Sequence, residues 1–367
     1  MKKLDWYIVK KILTTFFFAI FLFVVISVVI DMSEKAEDFV RSKLSTAQIF
    51  YQYYLGFIPH ITALLFPLFV FISVIFFTSK MATRSEIVAI LASGVTYNRW
   101  LRPYFVGGIF LATILWFASM YTVPLANKKR TAFETVYIDA NSSYERTIST
   151  INNRGNSMYL KVDSFTYAVI NNYDTTTKSS NGCYLYKVID NKLVENKKAD
   201  RMFWDAKKRK WMLQSIIIRD LDTIRETLYQ LPESALNFTA TPRDLLRGKY
   251  TKDILTSPEL SRFIDLERKK GSENINELRV EYGRRNATPV SVIILTLMGA
   301  IIAGRKIRGG SGAHLAMGVL IAFMFILTDK FSTIFSTKSN FPPILAVWTP
   351  NIIFSFVVWY LYKKAPK

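Results

Sequence analysis

The sequence is poor in the side chains that most often carry chemistry. Its 367 residues include one cysteine, Cys183, and two histidines, His60 and His314. A single cysteine excludes an internal disulfide, so a domain outside the membrane must be held together by packing. The two histidines are far apart and have no Cys, Asp or Glu at ligand spacing beside them, which argues against a metal site. We therefore predict neither a bound metal nor a cofactor.

Motifs for nucleotide binding and for nucleophilic catalysis are also missing. No segment fits the phosphate-binding loop G-x-x-x-x-G-K-[ST]. The nearest, RGGSGAH at 308–314, lacks the lysine that contacts the phosphates and follows no strand. Neither Gly94 nor Ser311 lies in the strand-turn-helix context of a nucleophile elbow. The sequence thus predicts a non-catalytic protein, and an ATP-driven activity would need a separate ATPase.

Apolar residues are abundant, at 50% of the chain, and they are gathered into long, nearly uncharged runs. As a helix, a run of about 20 apolar residues crosses a hydrocarbon core about 30 Å thick. The runs cover residues 12–30, 55–78, 101–124, 287–303, 313–335 and 344–362. We therefore predict six membrane-spanning helices. The fourth run is short, and we expect its helix to extend upstream.

Charge is unbalanced, with 48 basic against 28 acidic residues and a formal net charge of +20. Most of the excess lies on one side of the predicted spans. With the N-terminus inside, the inner side carries fourteen Lys and Arg residues against Asp5 and Glu86, as expected of cytoplasmic loops. We predict that both termini are cytoplasmic and that the large domain is periplasmic. The charge then requires no nucleic-acid partner.

Between the third and fourth runs, from Tyr144 onward, the apolar period changes to two. Short aromatic and β-branched segments separated by turn residues predict an antiparallel sandwich or jelly-roll. Beyond it, Thr256 and Glu259 have the spacing of a helix capping box. The predicted fold is a polytopic α-helical membrane protein, six transmembrane helices with a periplasmic antiparallel β jelly-roll domain between helices three and four. The predicted domains are 1–126, 127–283 and 284–367.

The short cytoplasmic stretch RSEIVAILASG, residues 84–94, predicts a helix of about two turns. Thr83 and Glu86 suit a capping box, and Gly94 suits a left-handed stop. An apolar face lies between them, at Ile87, Val88, Ile90 and Leu91. So short a helix must lie against something. Either it packs on its own membrane domain, with Glu86 as a cap, or it is a coupling helix, segment 83–94, that fits a groove of a separate motor protein.

Charges near the membrane surface offer further candidates. Asp329 and Lys330 are neighbours near the outer end of the fifth run, where an ionic pair is either functional or placed at the interface. After the first run, three cations are mixed with four acids. They either bind an anion or pair locally. These cations are Lys35, Arg41 and Lys43.

Four stretches resemble the LptF/LptG permeases, the membrane subunits of the ABC transporter that extracts lipopolysaccharide from the inner membrane. They are LDWYIVKKIL, RSEIVAILASG, ELSRFIDLERKKG with RVEYGRR, and FPPILAVWTPNIIF at 341–354. Together with the predicted layout, the resemblance covers essentially the whole chain. Within the family, LDWYI and Thr328–Lys330 are more similar to LptG than to LptF.

The resemblance implies a permease subunit that extracts lipopolysaccharide and passes it to a periplasmic transport bridge. It implies three protein partners: an LptB-type ATPase dimer, a second LptF/LptG-type permease and an LptC-type protein. It further implies that the stretch at 84–94 couples to the ATPase, through Arg84, Ser85, Glu86, Ile87, Ile90 and Gly94. The runs alone leave an alternative, a mechanotransmission-type ABC permease acting on lipoproteins or another lipid. Permeases of that class would have four spanning helices with the large domain after the first helix, unlike the layout predicted here.

The resemblance also implies a substrate path. Helices one and five would form a lateral gate toward the partner permease, lined by Val24, Val25, Val28, Phe323 and Leu327. Cations just after helix one would contact lipopolysaccharide phosphates. Where the family has a lysine directly after the helix, this chain has Asp31. The phosphate-binding candidates are therefore Lys35, Arg41 and Lys43.

Overall fold

The computed structural model of the chain describes residues 3–138, 157–163, 165–174, 177–189, 192–206, 208, 210–221, 226–236, 238, 251–269, 275–305, 310–339 and 341–365. Contacts divide the chain into two compact units. One comprises Met1–Ile138, Lys252–Ser261 and Asn276–Lys367, and the other comprises Asp139–Thr251 and Arg262–Ile275. The domain boundaries expected from the sequence, after residues 126 and 283, stay a prediction.

Six helices of the first unit are long and apolar enough to cross a membrane, which confirms the predicted number. The fourth begins upstream of its apolar run, at Ile275, as expected. We name the helices by their order in the chain. They are span one, Lys3–Glu34; span two, Thr46–Thr83; span three, Tyr97–Ile138; span four, Ile275–Ala303; span five, Gly312–Lys338; and span six, Pro343–Lys363.

Spans two and three are not uniform α-helices. In span two a π-helical segment, Phe50–Tyr54, separates the short helix Thr46–Ile49 from Leu55–Thr83. Span three has π-helical segments at Ala118–Thr122 and Glu134–Ile138 around the helix Val123–Phe133. The helix of span five begins at Gly310. Shorter helices outside the spans are Ala36–Arg41, Glu86–Ala92, Thr251–Ile254 and Ser257–Lys269.

Span two lies at the centre of the membrane unit. It contacts span one, the distal part of span three and span five. Span four packs on it through Gly299, because a Cβ added there would come within 3.1 to 3.4 Å of three span-two side chains, Phe71, Val74 and Ile75. Small residues at such crossings let helix backbones approach closely, which is how membrane helices gain packing energy.

Hydrogen bonds between spans add to this packing. Each joins a buried polar side chain to a neighbouring helix, where an unpaired group would be costly. They run from Thr78 Oγ1 to Tyr104 Oη (3.0 Å), from Ser332 Oγ to the Ala346 carbonyl oxygen (2.6 Å) and from Asn351 Nδ2 to the Ala287 carbonyl oxygen (2.8 Å).

The second unit contains an antiparallel sheet, which confirms the predicted β domain between spans three and four. Its strand order is β1-β2-β4-β5-β6-β7, with β3 paired to β4. Consecutive strands therefore pair as a meander, and the crossing connection of a jelly-roll is not among the described residues. The strands are β1 Ser157–Lys161, β2 Thr166–Asn171, β3 Tyr173–Asp174, β4 Ser179–Ile189, β5 Lys192–Asp205, β6 Lys210–Leu221 and β7 Glu226–Leu236.

One face of the sheet forms the core of this unit. Trp211 and Leu213 are buried on β6, and after Ser215, at φ +55°, the buried positions become Ile216 and Ile218. A residue in this conformation shifts the alternation of side chains along a strand. Cys183 lies in the same core, where burial raises the pKa of its thiol to about 12. Its thiol is therefore a small apolar core group.

The bond from the backbone to the carboxylate in the predicted cap at the return to helix is confirmed. Glu259 Oε2 accepts from the Thr256 backbone N–H at 2.9 Å and from the Thr256 hydroxyl at 2.7 Å. The Thr256 hydroxyl therefore donates to the same carboxylate oxygen that accepts from the Thr256 backbone N–H. The helix Ser257–Lys269 begins directly after Thr256.

Candidate functional site

The two-turn helix predicted after span two is present, at Glu86–Ala92. Span two ends at Thr83, and the chain turns at Ser85, whose φ of +59° lies in the left-handed region. Gly94 follows the helix with a φ of +85°, the left-handed stop that the sequence predicted. The helix is therefore set off from spans two and three by a left-handed residue at each end.

The predicted capping box of this helix is wrong. The Thr83 hydroxyl donates to the Ser79 carbonyl oxygen at 2.9 Å, within span two. Ser85 holds the N-cap position and makes no side-chain capping bond. A capping box would need Thr83 to precede the short helix as a non-helical residue, but Thr83 is still part of span two. Its hydroxyl therefore donates to a backbone carbonyl of span two. Glu86 lies in the first turn, where a carboxylate suits the helix dipole, and is 3.8 Å from Arg84 Nη1.

The apolar side chains of this helix divide between two faces. Ile87 is 1% exposed and lies in the core formed by the spans, and Ile90 and Leu91 pack partly against the same core. Val88 points the other way and is 55% exposed. Ile87 therefore anchors the helix to its own protein. The outward face, which we call the outer face of the short helix, consists of Arg84, Val88, Ala89 and Ala92.

An ion pair that the sequence did not reveal lies at the same end of the spans. Arg99 donates to both carboxylate oxygens of Asp5, at 2.8 and 2.7 Å. Asp5 is buried in the first turn of span one, and Arg99 lies in the first turn of span three. A two-pronged arginine–carboxylate pair fixes orientation as well as distance. It ties the beginnings of spans one and three together beside the short helix.

Spans one and five, assigned to the gate, share a low degree of burial within the chain. In each, 17% of the most apolar stretch is buried. Val25 of span one and Phe323 of span five are exposed, at 45% and 58%. Val24 packs against the protein's own core and Val28 against an aromatic cluster at the end of span one, while Leu327 is half-buried. The structure thus brings Val25 and Phe323 to the outside and leaves Val24 and Val28 facing inward.

Two of the three candidate phosphate ligands are already paired. Lys35 Nζ lies 2.9 Å from Asp31 Oδ1 and 3.6 Å from Glu134 Oε1, and it donates to the Tyr53 hydroxyl. Asp31 also accepts from Tyr53 Oη at 3.0 Å. This cluster joins span one to spans two and three. Lys35 is therefore part of the packing at that end.

The other two cations of the loop are at the surface. Arg41 pairs with Glu37 one turn earlier in the helix Ala36–Arg41. Lys43 is exposed, with a φ of +55°, and among the described residues no acidic side chain pairs with it. Of the three cations, Lys43 is the one that no carboxylate of the described residues holds.

Asp329 pairs across helices instead of with its neighbour Lys330. Its carboxylate lies 3.5 Å from Nη2 of Arg284 in span four, which also donates to Thr333 Oγ1 at 2.7 Å. Adjacent residues on a helix do not face each other, whereas residues on touching helices do. The contact therefore joins spans four and five.

Within the described ranges, no group of three or more His, Cys, Asp and Glu side chains could hold a metal ion. The only two histidines of the chain lie in different spans, His60 in span two and His314 in span five. The ring of His314 contacts the Arg305 carbonyl oxygen through Nε2, at 2.8 Å.

Comparison with known proteins gives the same family over the length of the chain. The family model of the lipopolysaccharide export system permease LptF/LptG matches residues 6–364. A relative, the lipopolysaccharide export system permease protein LptG of Haemophilus influenzae, is 22% identical over 177 residues. That match covers 47% of this chain and 48% of the relative, so it spans about half the length of the relative. It gives weak support for the predicted likeness to LptG. The chain belongs to the LptF/LptG family of lipopolysaccharide export permeases.

Proposed function

We propose that this multi-pass inner-membrane protein is the non-catalytic permease subunit of an ABC transporter that extracts lipopolysaccharide from the inner membrane and passes it to a periplasmic transport bridge. The observation that carries the proposal is the family match over residues 6–364. ATP hydrolysis belongs to an LptB-type ATPase dimer, because the sequence has no phosphate-binding loop. A second LptF/LptG-type permease and an LptC-type protein are the other partners.

The proposed orientation has both termini in the cytoplasm and the β domain in the periplasm. Its support is the distribution of Lys and Arg among the short loops. The short helix Glu86–Ala92 and the pair of Asp5 and Arg99 then lie on the cytoplasmic side, where an ATPase is available. The cluster around Lys35 lies on the periplasmic side.

The outer face of the short helix is the proposed coupling surface. Val88, Ala89 and Ala92 offer a small apolar face that fits a groove, and Glu86 offers a carboxylate to an arginine of the motor. Ile87 holds the helix to the spans, so a push on the outer face reaches them. Of the coupling residues predicted from the sequence, Ile87 packs on the spans and does not contact the motor. Val88, which was not among them, is added to the proposed coupling surface.

The lateral gate is proposed on spans one and five. Their low burial within one chain, which spans three and six nearly share, leaves apolar surface available to a partner permease or to acyl chains. Val25 and Phe323 are the residues placed to line it. For the phosphates of the substrate, Lys43 is the candidate that the contacts favour.

The function is tested by purifying the full chain with its co-expressed ATPase and second permease and measuring ATP-dependent release of lipopolysaccharide from proteoliposomes. We expect release that requires ATP and all three proteins. Release of phospholipid or lipoprotein in preference to lipopolysaccharide would contradict the proposed substrate. Co-purification without any ATPase subunit would contradict the proposed motor.

The coupling assignment is tested in the same assay with Glu86→Ala. Truncating one partner of a desolvated interfacial ion pair costs about 2 to 4 kcal/mol, so release should fall more than about tenfold while the protein remains folded. Thr83→Ala is the matched control, because within the described part of the chain its hydroxyl bonds to its own helix. Normal release by Glu86→Ala would show that the carboxylate is not the coupling group.

A further inference from the structure

Spans four and six line an open groove that the proposed transport mechanism does not use. Its volume is about 500 Å³ and its lining is almost entirely apolar. Span four contributes Val290 and Ile294. Span six contributes Trp348, Asn351, Ile352, Ser355, Phe356 and Trp359.

The floor of the groove is fixed by contacts between the two spans. Asn351 donates to the Ala287 carbonyl oxygen at 2.8 Å. Further along span four, Gly283 lies against Val347, whose side chain would be 3.4 Å from an added Cβ. The two helices are therefore held together at a close crossing, and the groove beside it is formed in the chain as it stands. Preformed apolar clefts with a few polar groups are the usual form of ligand sites.

The groove has the length of one bilayer leaflet. Trp348 and Trp359 are eleven residues apart on span six, which corresponds to about 16 Å along a helix axis. The hydrocarbon core of a bilayer is about 30 Å thick, so one leaflet takes up about half of it. An extended acyl chain crosses one leaflet. The groove therefore matches one acyl chain in length.

One end of the groove is positively charged. Lys363 Nζ lies 4.0 Å from the ring centroid of Trp359, one turn beyond the groove, and Lys364 Nζ lies 4.8 Å from the ring of Tyr360. Arg305 donates to the Lys364 carbonyl oxygen at 2.7 Å, which adds a third cation. Among the described residues, no acidic side chain forms an ion pair with these three. Basic pockets at the ends of spanning helices bind the headgroups of anionic lipids.

We propose that this groove binds one acyl chain of an anionic glycerophospholipid, with the lipid phosphate at Lys363, Lys364 and Arg305. The second acyl chain of this lipid stays in the bilayer, so the groove holds only one chain. The site itself is independent of the proposed transport function. Only its leaflet rests on that proposal, because the proposed orientation places Lys363 at the cytoplasmic surface.

The test uses the full chain reconstituted in vesicles of equal amounts of phosphatidylglycerol and phosphatidylethanolamine, then extracted in detergent, with retained lipid measured by mass spectrometry. The three cations near the phosphate should favour the anionic lipid by at least about tenfold. Ser355→Trp fills the groove and should remove the retained phosphatidylglycerol. Ile353→Trp is the matched control, since Ile353 is exposed on the same helix and does not line the groove.

A second variant keeps the site testable if Ser355→Trp does not fold. Lys363→Gln with Lys364→Gln leaves the groove and Arg305 intact, so it should lower the preference for phosphatidylglycerol several-fold, with more phosphatidylethanolamine retained in its place. Equal retention by Ser355→Trp and Ile353→Trp would overturn the site. Unchanged preference in the lysine variant would overturn the phosphate contact. Retention of added lipopolysaccharide in place of phospholipid would overturn the proposed lipid.

Discussion

Spans two and four differ from spans one and five in how much of their apolar surface the chain itself covers. In the central pair, 50% and 61% of the most apolar stretch is buried, against 17% in each of the outer pair. Mean hydropathy does not separate the two pairs, because the outer pair includes both the most and the least apolar of the four helices. The two pairs differ in how many of their apolar side chains the rest of the chain covers. Spans one and five each keep one side exposed to lipid or to another protein.

The difference is visible within a single outer helix. On one side of span five, Gly318 lies so close to span two that an added Cβ would meet the Ile75 side chain at 2.3 Å. On the other side, Phe323 and Phe331 are exposed. Small residues mark the side that the chain packs, and large apolar residues mark the side that it leaves open. The same helix therefore belongs both to the fold and to the surface that a partner can use.

Two adjacent arginines of span four give the sharpest test of this difference. Arg285 is 4% exposed and donates to the Lys252 and Leu255 carbonyl oxygens, both at 2.8 Å. Arg285→Met removes these charged hydrogen bonds and leaves the oxygens unpaired, so it should cost about 2 to 4 kcal/mol of unfolding free energy. The Arg284 side chain is 31% exposed and its Nη2 lies 3.5 Å from Asp329 Oδ2. Arg284→Met should therefore lower the unfolding free energy by less than about 1 kcal/mol.

The measurement for this pair is thermal unfolding of both variants in one detergent. Circular dichroism of the folded proteins checks that helix content is unchanged. If both variants lost the same unfolding free energy, the buried contacts of Arg285 would be no more important to stability than the contact of Arg284 with span five.

Helix crossing at Gly56 gives the next largest effect. A Cβ there would come within 2.5 Å of the Ala126 carbonyl oxygen and 2.7 Å of Arg130 Cβ, so span two and the distal part of span three must move apart. Gly56→Ala should therefore destabilise by about 1 to 3 kcal/mol. Gly107→Ala is the control, because nothing lies within 4 Å of its added Cβ. It should be neutral or stabilise by up to about 1 kcal/mol through helix propensity.

Much of the architecture could be predicted from the sequence, because it depends on properties of short, continuous segments. The six spans follow from the length of each apolar run, the strands from alternation, and the stop at Gly94 from the left-handed conformation that glycine adopts without strain. Each property is held by a few neighbouring residues. The extension of span four to Ile275 was equally predictable, because no proline interrupts that segment until its apolar run begins.

The site was less predictable because it depends on which residues face each other. Thr83 satisfies the spacing of a cap, yet span two continues through it. Asp5 and Arg99 are 94 positions apart and gave no signal. Val88 and Ile87 are equally apolar, and only the packing of the spans decides that Ile87 is buried. Pairs such as Arg284 and Asp329 belong to tertiary contacts, which periodicity in one segment does not report.

Photo-crosslinking compares the outer pair with the rest of the surface. A crosslinker at Val25 or Phe323, both exposed, should capture lipopolysaccharide in an ATP-dependent manner, several-fold above the same group at Phe110 of span three. At Val24, which packs against the chain's own core, capture should stay at the level of Phe110. The measurement is the yield of crosslinked glycolipid on a blot with and without ATP. Equal yields at Val25, Phe323 and Phe110 would show that spans one and five are merely lipid-facing.

The smallest effect is expected at the cations after span one, and it separates a packed group from an open one. Lys43→Gln removes a cation with no acidic partner among the described residues, so it should lower substrate-stimulated ATPase activity about two- to fivefold and leave basal activity and stability unchanged. Lys35→Gln removes the partner of Asp31 and Glu134 and should lower thermal stability instead. The triple variant with Arg41→Gln should show both losses, and added salt should mimic only the first, because exposed charges are screened more than half-buried ones. If Lys43→Gln kept full stimulation while Lys35→Gln lost it without loss of stability, the phosphate contact would lie at Lys35 and the cluster of Asp31, Lys35 and Glu134 would have to open for the substrate.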